Sequence, residues 1–194
     1  MKEFENTDIE QLNERLSEIS NIDEDSEEED LLVSQLNMDI TNQYVVFSLA
    51  NEEYGVPILS VQEIISIPNL TRIPGAPDYI PGIINLRGNI IPLYMLRRRF
   101  KLDVKELDEN TIVIIAQIGD GKTVGFIVDS VSDVLSISAE NLSETPDFNS
   151  SIDINFVDKI GRIGSRMIIL MNLNRFLTDK EAEALEKSVK VLGQ

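Results

Sequence analysis

One arginine and a missing set of nucleophiles define what chemistry this chain can do. Arg87 stands in the polar insert Asn85-Leu86-Arg87-Gly88-Asn89, between two apolar runs that extend from Ile80 to Leu96. Gly88 and Asn89 tolerate the positive φ of tight turns, so the stretch predicts a hairpin with Arg87 at its tip. A guanidinium held there is a planar fork of five donors, suited to a carboxylate or to backbone carbonyls on a partner; a plain solvated turn arginine is the competing reading. The chain has no Cys and no His, and therefore no thiolate, imidazole base, disulfide or usual nitrogen or sulfur metal ligand. Most hydrolase chemistries fall away with them.

Two other motifs invite chemistry. Ala116 followed by Gly121-Lys122-Thr123 has the outline of a relaxed phosphate loop, in which Lys122 would reach a nucleotide. The residues after it, Thr123 to Val128, are β-branched and aromatic, whereas a phosphate loop must open a helix, so Gly119-Asp120-Gly121 reads better as a hairpin turn. Glu63, Asp129 and Asp133 suggest a carboxylate pair of the glycosidase type, but nothing in the sequence sets their separation. No metal-ligand spacing is visible, and no cofactor is expected.

The net charge of −17 argues against nucleic acid as a partner, because a phosphate backbone is met by clustered Lys and Arg. The acidity is concentrated: residues 1–40 hold fourteen Asp and Glu against Lys2 and Arg15. No apolar run approaches the roughly 20 residues needed to span a bilayer, and the first residues are charged and polar, so a cytoplasmic protein without membrane insertion is expected.

The elements that must position Arg87 begin after an extension. Residues 1–41 read as an acidic segment, disordered or partly helical: Thr7 and Glu10 have the form of a capping box, Ile9, Leu12, Leu16 and Ile19 make an amphipathic stripe, and Leu32, Leu36 and Ile40 a second one. Between the stripes, Asp23 to Asp30 is almost wholly acidic and reads as a linker. From Gln43 the pattern becomes strands, with a hairpin over Tyr44 to Ile58. Val61 to Ile67 has the spacing of a helical turn, with a strand as the competing assignment. Thr178 and Glu181 form another capping box ahead of the stripe Ala182, Leu185, Val189 and Leu192, which predicts a C-terminal helix over 178–194 packed on the strands.

The pattern then repeats. Gly55 to Ile58 matches Gly125 to Val128, and Val61 to Ile65 matches Val131 to Leu135, each displaced by 70 positions; Pro77-Asp78-Tyr79 matches Pro146-Asp147-Phe148, and Ile90 to Leu93 matches Met167 to Leu170. Two copies of one unit of about five short strands predict two small closed barrels, the first over about 42–100 and the second over about 108–175. Gly164-Ser165 stands where Arg87-Gly88 stood, so only the first copy carries the arginine turn.

Taken together, Gln43 to Leu49, Glu53-Tyr54-Gly55, Val61-Gln62-Glu63-Ile64, Pro81-Gly82-Ile83, Asn85-Leu86-Arg87-Gly88, Val128 to Leu135 and Gly161 to Leu173 resemble the CheW family of chemotaxis coupling proteins over about residues 42–185. The resemblance implies a mainly β fold of two intertwined five-stranded barrels with a groove between them, and a non-catalytic adaptor. Its implied partners are the cytoplasmic tip of a chemoreceptor, the regulatory domain of the histidine kinase CheA, and other CheW-like domains in rings. By position, Val61, Glu63, Gly82 and Arg87 match residues of receptor coupling, and Phe148 matches an aromatic of kinase or ring contacts. A CheV-like or kinase-derived coupling domain, or another coupling scaffold not tied to CheA, is the implied alternative; the first two would need a receiver or kinase domain beyond these motifs. The acidic extension is longer than a minimal coupling protein requires. Arg97-Arg98-Arg99 forms a basic cluster expected to dock on acidic surface, such as the chain's own N-terminal segment.

Overall fold

The polar breaks between the β-rich runs become hairpin turns in a computed structural model that describes residues 6–20, 40–108, 111–119, 121–145 and 156–176. A helix, α1 (Asn6–Ser20), precedes strands β1 (Gln43–Leu49), β2 (Glu52–Pro57), β3 (Val61–Ser66), β4 (Gly82–Leu86) and β5 (Asn89–Met95). A one-turn helix α2 (Leu96–Arg99) leads to β6 (Ile112–Ile118), β7 (Lys122–Val128), β8 (Ser130–Ser136), β9 (Leu142–Glu144), β10 (Val157–Ile163) and β11 (Arg166–Met171). The expected C-terminal helix and Phe148 lie outside the described residues.

The strands form two sheets, in the orders β8-β1-β2-β11-β10-β9 and β3-β6-β7-β5-β4. Each sheet is built around the first hairpin of one half and completed by the later strands of the other. The joins that do this, β2 to β11 and β5 to β7, are parallel. A tight hairpin cannot make a parallel join, so the neighbour must come from a distant part of the chain, and here it comes from the other repeat. The two barrels are therefore intertwined: one sheet takes the consecutive strands β3 to β7 across the boundary between the repeats, and the other joins β1 and β2 to β8–β11 from the far end of the described chain.

Register makes the repeat concrete. Gly55 lies opposite Leu170 and Gly125 opposite Leu93, at equivalent places in the two sheets. A Cβ on Gly55 would sit 2.9 Å from Leu170 Cδ2, and one on Gly125 would run into Leu93 Cδ2 and lie 2.9 Å from Val113 Cγ1. Glycine at both places lets the crossing strand approach.

Val61 to Ser66 is a strand, and the helix-like spacing has a local cause. Val61 pairs with Ala116 and Glu63 with Ile115, so Gln62 is an extra residue, a bulge. The bulge breaks the two-residue alternation and buries Val61 and Ile64, three apart, on one side. Seventy positions on, Ser132 is extra in the same way, between Val131 opposite Phe47 and Asp133 opposite Val46.

Among the described residues the apolar side chains gather in three clusters. One is the interior of the β3-to-β4 sheet (Ile84, Ile91, Leu93, Val113, Ile115, Ile127), another that of its counterpart (Val46, Ile137, Ile168, Leu170). The largest draws on both sheets and holds most of the described aromatic residues, with Phe126 edge-on to Phe176 at 4.7 Å and Tyr94 edge-on to Phe176 at 5.3 Å. Alternation decides the sharing: on β6, Val113 and Ile115 face one barrel interior while Ile112, Ile114 and Ala116 face the common core. The barrels expected to be closed are shut by side chains rather than by a last ladder. The edges β3 and β4 are not hydrogen-bonded to each other, and Ile65 and Leu86 pack in the seam.

Candidate protein-docking site

The Arg87 hairpin turns in two residues. Leu86 is opposite Asn89, and the left-handed positions are Arg87 (φ 52°) and Gly88 (φ 89°), with Asn85 Oδ1 accepting the Gly88 N–H at 2.9 Å. This corrects the expected placement, since Asn89 belongs to the strand and the arginine itself takes the unusual backbone. Non-glycine residues adopt that region at a cost of roughly 1 kcal/mol.

From the tip, Arg87 Nη2 donates to Glu63 Oε1 at 3.0 Å. Glu63 is on β3 and Arg87 directly follows β4, so the pair spans the open seam of the sheet. The Arg87 side chain is 78% exposed, and its Nε and Nη1 groups have no protein acceptor among the described residues. Beside the pair is an open depression. Gln62, Glu63, Arg87 and Thr123 form its rim, and Leu86 and Ile91 its apolar floor. That Gln62 and Thr123 share this rim is not legible along the chain, because only the curl of the sheet brings β3 and β7 to the hairpin.

The other expected site residues do not join this rim. Val61 is 5% exposed and belongs to the common core. Gly82 is pressed on the backbone of Thr71, whose N–H and C=O both pair with Ile83 at 2.9 Å; any Cβ at position 82 would collide with Thr71 O. Phe148 lies outside the described residues.

The basic cluster after β5 is spent on internal ties, correcting its expected role as a docking patch. Arg97 donates from Nε and Nη2 to the two carboxylate oxygens of Asp129, both at 2.6 Å, and from Nη1 to Asp103 O. Asp129 Oδ2 also accepts the N–H of Ala50, which has φ 55°. Hydrogen bonding to Asp129 holds the Arg97 guanidinium above its ordinary pKa, against the opposing effect of burial. Arg98 donates to Asp78 O, and Arg99 lies over the Tyr79 ring at 4.5 Å and the Phe156 ring at 4.9 Å.

The remaining motifs resolve similarly. Glu63 is paired with Arg87, Asp129 with Arg97, and Asp133 Oδ1 accepts the N–H of Val134, so the three carboxylates have separate partners. Lys122 opens strand β7 opposite Ile118, with no helix following, so the loop lacks the amide cradle of a phosphate site. A pair the sequence did not reveal joins the halves: Arg166 donates to both carboxylate oxygens of Glu53, at 3.0 and 2.7 Å, and this raises its pKa above the ordinary value. Among the described residues no group of three or more acidic side chains is placed to hold a metal, and no helix is long and apolar enough to cross a membrane.

Two intertwined barrels with a charged, apolar-floored rim and internally paired carboxylates define a protein-docking module. Residues 43–181 match the model of the CheW-like domain. The chain is 39% identical over 151 residues to the chemotaxis protein CheW of Klebsiella aerogenes, covering 78% of this chain and 90% of that one. It is 33% identical to the chemotaxis protein CheW of Rhizobium meliloti, over 73% of this chain and 91% of that one. Among solved structures, the scaffolding protein TtCheW of Thermoanaerobacter tengcongensis superposes with a TM-score of 0.66 at 37% identity, over 72% of this chain and 94% of that one. The chain belongs to the CheW family, a non-catalytic scaffold family of chemotaxis.

Proposed function

We propose that this protein couples chemoreceptor cytoplasmic tips to the histidine kinase CheA within receptor arrays at the membrane, and that the Glu63–Arg87 rim is where the receptor is read. The observation that carries the assignment is Arg87 itself. It occupies a left-handed backbone position, makes one hydrogen bond among the described residues, and presents the rest of its guanidinium beside an apolar floor. Strained, exposed and only partly paired groups of this kind belong to binding surfaces. A receptor segment at the rim would set an apolar side chain on Leu86 and Ile91 and a carboxylate or carbonyl on Arg87. Val61 and Gly82 act by positioning, the first by packing β3 and the second by holding β4 on Thr71. Phe148 is assigned to the kinase regulatory domain or to ring contacts with other CheW-like domains, on the family match alone.

The test is a two-partner titration of wild type and Arg87→Ala against a cognate receptor cytoplasmic fragment and a CheA regulatory domain. Arg87→Ala is expected to weaken receptor binding about tenfold, or 1.4 kcal/mol, and to leave kinase binding within twofold. Equal losses for both partners would remove the assignment of the rim to the receptor.

A further inference from the structure

Helix α1 precedes the family-matched region, yet it is seated on it. Ile9 and Leu16 are 8% and 4% exposed, Leu12 packs beside them, and all three join the core cluster of Ile58, Val61 and Ile64. The helix lies on β3 and on the short 3-10 turn Ile58–Ser60 before it. Between the apolar contacts, Asn13 brackets one residue of the strand: its Nδ2 donates to Ile64 O and its Oδ1 accepts the Ile64 N–H, both at 2.9 Å. Because β3 is an edge strand, this amide stands in for the neighbouring strand it lacks. The surface thus has a specific complement: apolar residues at i, i+3 and i+7, and a primary amide at i+4.

We propose that the face of β3 and residues 58–60 is a helix-docking surface, held in cis by α1 and taken in trans by an amphipathic receptor helix of the same pattern; this rests on the coupling function proposed above. An isolated helix of 15 residues is marginal in water, so α1 keeps its form through docking and is readily given up to a better-fitting competitor. Helix α1 and β3 belong to one chain, so docking of α1 is intramolecular. An identical helix from a second copy at micromolar concentration cannot compete with that. A different helix with tighter contacts can. Because β3 also carries Glu63, exchange of the helix on one side of the strand bears directly on the Arg87 rim on the other.

Two linked measurements on the full chain test this. In Ile9→Asp/Leu16→Asp, with strand content checked by circular dichroism, a labelled peptide of residues 6–20 is expected to bind the vacated surface and to be displaced by the receptor fragment. The fragment itself is expected to bind this variant at least threefold more tightly than wild type, with Asn13→Ala in between. In wild type, the Ile64 amide and α1 are expected to exchange hydrogen at changed rates when the fragment saturates. An unchanged affinity in both variants, or α1 equally protected with the fragment bound, would overturn the proposal. Peptide binding without displacement would exclude the receptor as occupant, whereas no binding of the fragment to wild type or to any variant would sink the coupling function instead.

Discussion

The β4–β5 and β10–β11 hairpins occupy equivalent places, each laid in parallel beside the first hairpin of the opposite half, yet they turn on different residues. The β10–β11 turn is Gly164-Ser165, with glycine at φ 59°, and the arginine that follows it makes two bonds to Glu53 from a side chain 36% exposed. The β4–β5 turn puts arginine at the left-handed position, and that arginine makes a single bond among the described residues from a side chain 78% exposed. One hairpin uses its charge to join the halves. The other bears backbone strain for an exposed ion pair of a kind worth about 0.2–1 kcal/mol. The same scaffold position therefore ties the halves together in one case and leaves an exposed arginine at the turn in the other, the arginine proposed above to read the receptor.

The largest effect that would sharpen this comparison is in the glycines under the two crossing strands. Gly125→Ala is expected to cost about 3 kcal/mol and Gly55→Ala about half that, because the Cβ at 125 meets Leu93 with less room and Val113 as well. Denaturant midpoints measure both. Equal costs would mean the two barrels are equally tight and that the asymmetry is confined to the turns.

Next comes Arg166→Ala, expected to cost about 1.5 kcal/mol by removing two charge-assisted bonds from the partly buried Glu53. A loss below about 0.5 kcal/mol would erase the structural role given to the second hairpin. Arg87→Gly should move the other way, gaining about 0.5–1 kcal/mol by removing left-handed strain while receptor binding falls about tenfold. Lost stability together with lost binding would make Arg87 a structural residue and break the contrast. The smallest effect is Glu63→Gln, expected within about 0.5 kcal/mol of wild type in stability, since the pair is largely exposed. Receptor affinity in that variant tells whether Glu63 orients Arg87 or merely neighbours it.

Much of this was legible in order along the chain. Alternation and turn residues mark the hairpins, and the 70-residue repeat pairs Gly55 with Gly125 before any coordinates exist. The spacing of Val61 and Ile64 misled because a bulge at Gln62 imitates a helical period, and a single-strand pattern cannot distinguish the two. Arg97-Arg98-Arg99 misled because clustered charge looks like a surface patch until Asp129, Asp78 O and the Tyr79 ring arrive from elsewhere.

By itself the sequence determined most of the strands and where the chain turns, the absence of thiol and imidazole chemistry, and the family motifs, all of which are encoded over a few neighbouring residues. Only the tertiary structure decided which half supplies each strand's neighbour, that Val61 is buried while Glu63 reaches Arg87, and that α1 covers β3. These depend on parallel joins and seam contacts between residues far apart in the chain, and local periodicity carries no information about which distant segment will fill an open edge.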